Sequence, residues 1–202
     1  MPRALAQLAP GKDASVKFRG VYATIDLGPA NEKMSRLAPA YGSDRRLAIS
    51  EVLGRPAAVL PPVLYALANT LVEDHAEQAI FWYHVGRLRA VYDALRCRDK
   101  TAQSAAMLAL RRLMSKMLVE SQYFRRERLV PIAAKAIDWD AGNSRSYDQR
   151  WPALYGNVAQ TSPGTDPSEV QVPEEEWPAI LKHVHEAHME SVRKFAGEKP
   201  VA

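Results

Sequence analysis

The sequence predicts a mainly α-helical fold: a compact multi-helix bundle with one short N-terminal strand or hairpin and a long ordered loop before the C-terminal helix. Three observations carry this reading. From Asn31 onward, apolar residues recur at the spacing of one helix face. Residues 15–27 alone are dense in β-branched and aromatic side chains, with no second segment of that kind to complete a sheet. Residues 140–173 hold Gly142, Asn143, Gly156, Pro163, Gly164, Pro167 and Pro173, the punctuation of a loop.

The chain has 202 residues, 47% hydrophobic and 25% charged, enough for one domain with a substantial core. The expected organisation is a flexible leader over 1–14, a single helical domain over 15–196 and a disordered tail over 197–202. Cys97 is the only cysteine, so no intramolecular disulfide can form, which fits a reducing compartment.

Each element follows from a local signal. Gly20, inside the β-rich stretch, marks a bulge or tight turn. Asn31 can cap a short helix through about Ala38, and Asp44 another ending near Gly54. Pro61-Pro62 opens a helix through Leu64, Leu67, Ala68 and Leu71, because proline is tolerated in a first turn. Residues 74–96 form the longest helix. Residues 100–123 form the next, with Ala106, Leu110, Leu113, Met114 and Met117 on one face. A shorter helix carries Leu129, Ile132, Ala136 and Ile137, with Pro131 in its first turns. The last begins around Pro173-Glu174, where Glu174, Glu175 and Glu176 favour the positive end of the dipole, and runs to about Phe195.

The helix over 74–96 holds the main polar puzzle. Projected at 100° per residue, it is apolar or small nearly all round, with Arg89, Asp93 and Arg96 in one narrow sector. Such a helix belongs in the centre of a fold. His84 and Arg87 fall within the apolar surround. A buried guanidinium needs a counter-charge, and Asp138, Asp140 and Glu77 are the candidates. Two readings stay open: His84, Arg87, Asp138 and Asp140 form a buried polar network, or they floor an anion-binding pocket.

Motifs of catalysis are not found in the sequence. His185-Glu186-Ala187-His188 places its histidines at i and i+3, whereas zinc proteases need i and i+4. His183 and His185 project about 200° apart, and His188 sits on the apolar stripe with Trp177, Ile180, Leu181 and Val184, as a core histidine would. There is no Gly-x-Ser-x-Gly elbow and no phosphate-binding glycine loop. Cys97 lies at a helix C-terminus, where the dipole disfavours the thiolate. No catalytic residue, metal or cofactor is therefore expected.

The net charge is +4 and the pI about 9.2. The basic runs, Arg45-Arg46, Arg111-Arg112 and Arg125-Arg126 with Arg128, lack interleaved aromatics or a nucleic-acid motif, so they read as solvated helix faces and nucleic acid is not an expected partner. No apolar run approaches the ~20 residues of a membrane span. The default location is cytoplasmic. Ala4-Leu5-Ala6 followed by Gln7 is similar to the small-residue end of a signal peptide, and a missing apolar part would make the location periplasmic.

The loop carries Tyr147, Trp151 and Tyr155, too many aromatics for a free linker. With Arg145 and Arg150 they are the candidate partner-binding residues, rings and arginines being common interface anchors. Packing of the rings against the chain's own helices is the equal alternative. The first reading predicts that Trp151→Ala weakens partner binding more than thermal stability.

The phrase Phe81-Trp82-Tyr83-His84-Val85-Gly86-Arg87-Leu88-Arg89, followed later by Asp138-Trp139-Asp140, resembles a family of small bacterial helical proteins. There an aromatic triplet, a small residue and Leu-Arg lie on a central helix, and a Trp-Asp pair closes a later one. The resemblance covers roughly residues 60–140, and Arg87 stands where the family often has Gln. It implies immunity proteins of toxin secretion systems, with Arg87, Arg89, Trp139 and Asp140 as scaffold and the binding face on exposed loops. The expected function is a non-enzymatic module that neutralises a bacterial secreted toxin by occluding its active site. The alternative is a small-molecule or anion-binding enzyme with a pocket around His84, Arg87, Asp138 and Asp140.

Overall fold

The computed structural model describes residues 18–38, 42–161, 166, 168 and 170–197, and the fold is helical throughout that range. The expected leader over 1–14 lies outside the described residues. So does the expected tail, apart from Gly197. The N-terminal strand is corrected. Gly20–Thr24 is a 3-10 turn, and no strand occurs among the described residues beyond an isolated antiparallel bridge between Cys97 and Gln171. Gly20 takes a left-handed φ of 52°, and the Thr24 hydroxyl donates to the Val21 carbonyl at 2.7 Å, which winds the segment. Its apolar side chains Tyr22, Ile25 and Leu27 are buried one by one against helices. That burial stabilises the turn without a paired strand.

Helix α1 spans Gly28–Arg36 and α2 Gly42–Gly54. The first starts ahead of Asn31 because the Asp26 carboxylate accepts from Gly28 N–H at 2.7 Å, and Pro29 suits a first turn. Helix α3, Pro61–Leu71, is buried along almost its whole length, and α4, Ala76–Leu95, packs on it most extensively. Gly86 allows that approach: a Cβ there would lie 3.1 Å from both Leu64 Cβ and Tyr65 Cδ2. Helix α4 also meets α5, α6, α7 and α9, the central position its composition predicts.

The helix expected over 100–123 is two helices, α5 (Lys100–Leu113) and α6 (Lys116–Phe124). Asn69 on α3 makes the break. Its amide donates to Leu113 O at 2.6 Å, and its carbonyl accepts from Ser115 N–H at 3.0 Å. Ser115 then caps α6 by accepting from Leu118 N–H at 3.1 Å. Helix α7 covers Leu129–Gly142, with Pro131 in its first turn. The segment that follows winds into a 3-10 turn over Trp151–Tyr155 and the short α8, Asn157–Thr161. After a 3-10 turn over Glu174–Glu176, α9 runs Trp177–Ala196 and stops at Gly197, in the left-handed conformation that glycine favours.

The main core joins α1, α3, α4, α5 and the 151–159 segment, and a smaller cluster of Ile80, Leu129, Ile132, Ala133 and Val192 ties α4, α7 and α9 together. No helix among the described residues is long and apolar enough to cross a membrane.

Candidate functional site

Helix α4 presents two polar sides with different surroundings. The first is the sector of Arg89, Asp93 and Arg96. Helical spacing sets the three in one strip, and they are among the most buried residues of the chain, at 0%, 0% and 2% exposure. The segment after α7 covers them. Arg89 Nε donates to Asp140 Oδ1 at 3.0 Å, and its Nη2 donates to the Asn143 carbonyl at 2.9 Å. Its guanidinium also stacks 4.7 Å from the centre of the Trp139 ring. The other Asp140 oxygen meets Arg145 Nη2 at 2.6 Å and His185 Nε2 at 3.0 Å. Burial by itself would raise the Asp140 carboxyl. The His185 hydrogen bond and the charges of Arg145 and Arg89 outweigh it and hold the group below its ordinary value.

Asp93 is treated differently. Its Oδ2 accepts from Tyr147 hydroxyl at 3.0 Å and from Trp151 Nε1 at 2.9 Å, while Oδ1 has no hydrogen-bond partner. Burial pushes this carboxyl up to about 7, against the Trp151 and Tyr147 hydrogen bonds and the charges of Arg145 and Arg96. Arg96 donates to Gln149 and lies 3.5 Å from the centre of the Trp177 ring. Cys97, next along, is fully buried, and burial pushes its thiol up to about 12.

The three rings among the candidate partner-binding residues are therefore buried or half-buried. Trp151 is fully buried, Tyr155 nearly so, and Tyr147 is half-buried with its hydroxyl on Asp93. Arg145 is held by Asp140 and by the face of Tyr92, its guanidinium 4.4 Å from the ring centre. Arg150 pairs with Asp148 at 2.7 Å near the surface. In place of rings offered to a partner, the structure has a cover nailed down by polar contacts. Asp99 fixes the far end of that cover, accepting from Thr101 N–H at 2.8 Å and Val158 N–H at 2.9 Å.

The expected four-residue network of His84, Arg87, Asp138 and Asp140 is split. Asp140 belongs to the sealed side with Arg89. Asp138, two residues away and so on the opposite face of α7, is exposed. Glu77 pairs with Arg128 at the surface, not with Arg87.

His84 and Arg87 define the second side of α4, which faces α6 and α9. His84 Nδ1 and His188 Nε2 lie 3.0 Å apart, and both rings are buried. Burial lowers both, His84 well below its ordinary value and His188 to about 4, with the Arg87 charge pushing the same way. This is a neutral pair in which one ring donates and the other accepts. His84 Nε2 is left without a partner. Arg87 is half-buried, and it meets the hydroxyls of Tyr65 and Tyr83. Among the described residues it forms no ion pair. A cleft of about 270 Å³ opens here, lined by His84, Arg87, His188, Ser191 and the apolar Val119 and Phe195.

Next to this cleft α6 turns its outer face to solvent. Met117, Val119, Tyr123 and Phe124 are exposed, the last two at 59% and 73%. The three histidines of α9 diverge: His185 goes to Asp140, His188 to His84, and His183 is exposed. Among the described residues no three His, Cys, Asp or Glu side chains converge as metal ligands would. Compared with family models, curated proteins and solved structures, the chain matches none.

Sequence reasoning missed Arg89, Asp93 and Arg96 as buried groups, and α6 as the exposed apolar face. The first had a readable signal. Three polar residues in helical register, on a helix otherwise apolar, need a polar cover, and Tyr147, Gln149 and Trp151 could supply it. The second was hidden because a continuous helix over 100–123 would place Met117 on the inner face, and the break at Ser115 rotates it outward.

Proposed function

We propose that this chain is a non-enzymatic protein-binding module, an inhibitor of the immunity type that neutralises a bacterial secreted toxin by occluding its active site. The observation that carries the reading is the outer face of α6. Tyr123 and Phe124, with Met117, stand in solvent on a short helix pinned at its start by Ser115 and Asn69. Large rings held out by a fixed backbone lose little freedom on binding and are the usual interface anchors. Close by in sequence Arg111, Arg112 and Arg126 are exposed, and the chain carries +4 overall, which suits an acidic partner surface. The resemblance on the α4 phrase supports the toxin as the kind of partner. The partner face lies on α6, in place of the Tyr147–Tyr155 segment.

The experiment is a pull-down at physiological salt with secreted toxins encoded beside the gene, followed by an assay of the captured toxin. The expected result is a stoichiometric complex that silences the toxin, with affinity reduced at least about tenfold in Tyr123→Ala/Phe124→Ala. Unaltered binding by that double variant removes α6 as the interface. A neighbouring toxin that neither binds nor is silenced removes the function.

A further inference from the structure

We propose that the cleft between α4, α6 and α9 binds a monoanionic carboxylate with a short hydrocarbon tail, Arg87 holding the carboxylate and Val119 and Phe195 the tail. The argument starts from charge. Arg89, Arg145 and Arg150 each have a carboxylate at 3.0 Å or less. Arg87, also partly withdrawn from water, has among the described residues two tyrosine hydroxyls and two neutral imidazoles beside it and no carboxylate. A guanidinium so placed gains most from a planar anion that can take two of its N–H groups at once.

The second observation is independent of charge. His84 is 3% exposed, lines the cleft, and its Nε2 lacks any hydrogen-bond partner. Buried polar atoms are normally satisfied, and an orphan beside a cleft marks a place where a ligand group can complete the set. Ser191, exposed at the mouth, supplies a further hydroxyl.

The rest of the cleft sets the ligand's class. One cation and no second arginine or lysine among the lining residues matches a single negative charge better than a phosphate dianion. Met114, Val119, Leu129, Val192 and Phe195 make most of the remaining wall apolar, with Tyr83 and Gln122 the further polar side chains. The volume of about 270 Å³ falls near the small end of ligand pockets, roughly 300–1,000 Å³. A few polar groups set among mainly apolar walls are the lining that suits an amphiphile.

The test uses the full chain and sodium octanoate, with 1-octanol and acetate as comparators. Titration calorimetry gives affinity, and imidazole nitrogen resonances of His84 and His188 locate the ligand. Octanoate is expected to bind at least about tenfold more tightly than either comparator and to shift both imidazole signals. Arg87→Gln is expected to lose at least about tenfold in octanoate affinity. Because Arg87 also touches Tyr65 and Tyr83, that variant is checked for folding. If it fails to fold, the comparison of octanoate with octanol on the unaltered chain decides. Equal binding of octanol, no binding of octanoate, imidazole signals that stay put, or a folded Arg87→Gln with undiminished affinity each overturns the proposal. Tyr123 and Phe124 do not line the cleft, so failure of the toxin reading and failure of this one show up in different variants.

Discussion

The two polar sides of α4 differ in what closes them. On one, Arg89 and Asp93 are sealed under chain that follows α7, and Arg89 shares Asp140 with Arg145 and His185. On the other, Arg87 and the His84–His188 pair border a cleft, and among the described residues the arginine has no carboxylate. An arginine whose partner lies in the same chain holds the fold together. An arginine left with hydroxyls and imidazoles is available to something else. The same residue type, two positions apart on one helix, is structural in the first setting and receptive in the second.

The comparison can be broken most sharply at Asp140. Asp140→Ala strands Arg89 in a dry interior, and breaking such a pair costs about 3–5 kcal/mol. Urea unfolding should show a fall in unfolding free energy of that size, and a loss below about 1 kcal/mol would mean the cover is not held by this charge. Trp151→Ala belongs with it. Removing a fully buried indole costs about 3–5 kcal/mol, so stability should fall in the same assay while binding of the proposed partner, per folded molecule, stays unchanged. That is the reverse of the outcome expected of a plug.

Next in size comes Gly156→Ala. The added Cβ would fall 2.1 Å from Asp99 Oδ2, against the carboxylate that anchors Val158. Overpacking of this kind costs about 1–3 kcal/mol. Hydrogen exchange should show it concentrated in residues 151–161.

Titration separates the two sides by sign. Asp93 has its carboxyl raised in the fold, from 3.8 to about 7, so the native state holds the extra proton. Its contribution is complete below 3.8 and is lost as pH rises through about 7. Asp93→Asn, which imitates the protonated form, should gain on the parent in melting temperature between pH 5 and pH 8. The imidazoles on the cleft side are lowered, so their contribution is present above 6.5 and lost as pH falls toward about 4. His188→Gln should therefore gain on the parent over that acidic window. Parallel pH profiles for both variants would erase the distinction. The smallest effect is at the surface: Phe124→Ala, at a site 73% exposed, should change stability by less than about 0.5 kcal/mol.

Much of the helical plan was readable because its signals are local. Pro61-Pro62 opens α3, the near-continuous apolar surface of α4 places it centrally, and glutamates precede α9. What was not readable depends on partners distant in sequence. Asn69 cuts the helix over 100–123 by satisfying Leu113 and Ser115 from 44 and 46 residues away. Within the β-rich stretch, Gly20–Thr24 is a turn, and Tyr22 and Ile25 are buried in the helical core, with no paired strand among the described residues. At the candidate site, His84 was legible as buried, and Asp140 as the carboxylate of an arginine. That the arginine would be Arg89 in place of Arg87 turns on which side of α4 packs against α7, and the two residues project about 200° apart on that helix.

Burial of Cys97 has a practical consequence. The chain's one sulfhydryl is fully enclosed and points at the Asp93 carbonyl, 3.6 Å away. A maleimide dye can label it only when the surrounding structure opens, so alkylation rate becomes a built-in clock for breathing motions, readable by mass spectrometry without engineering a probe.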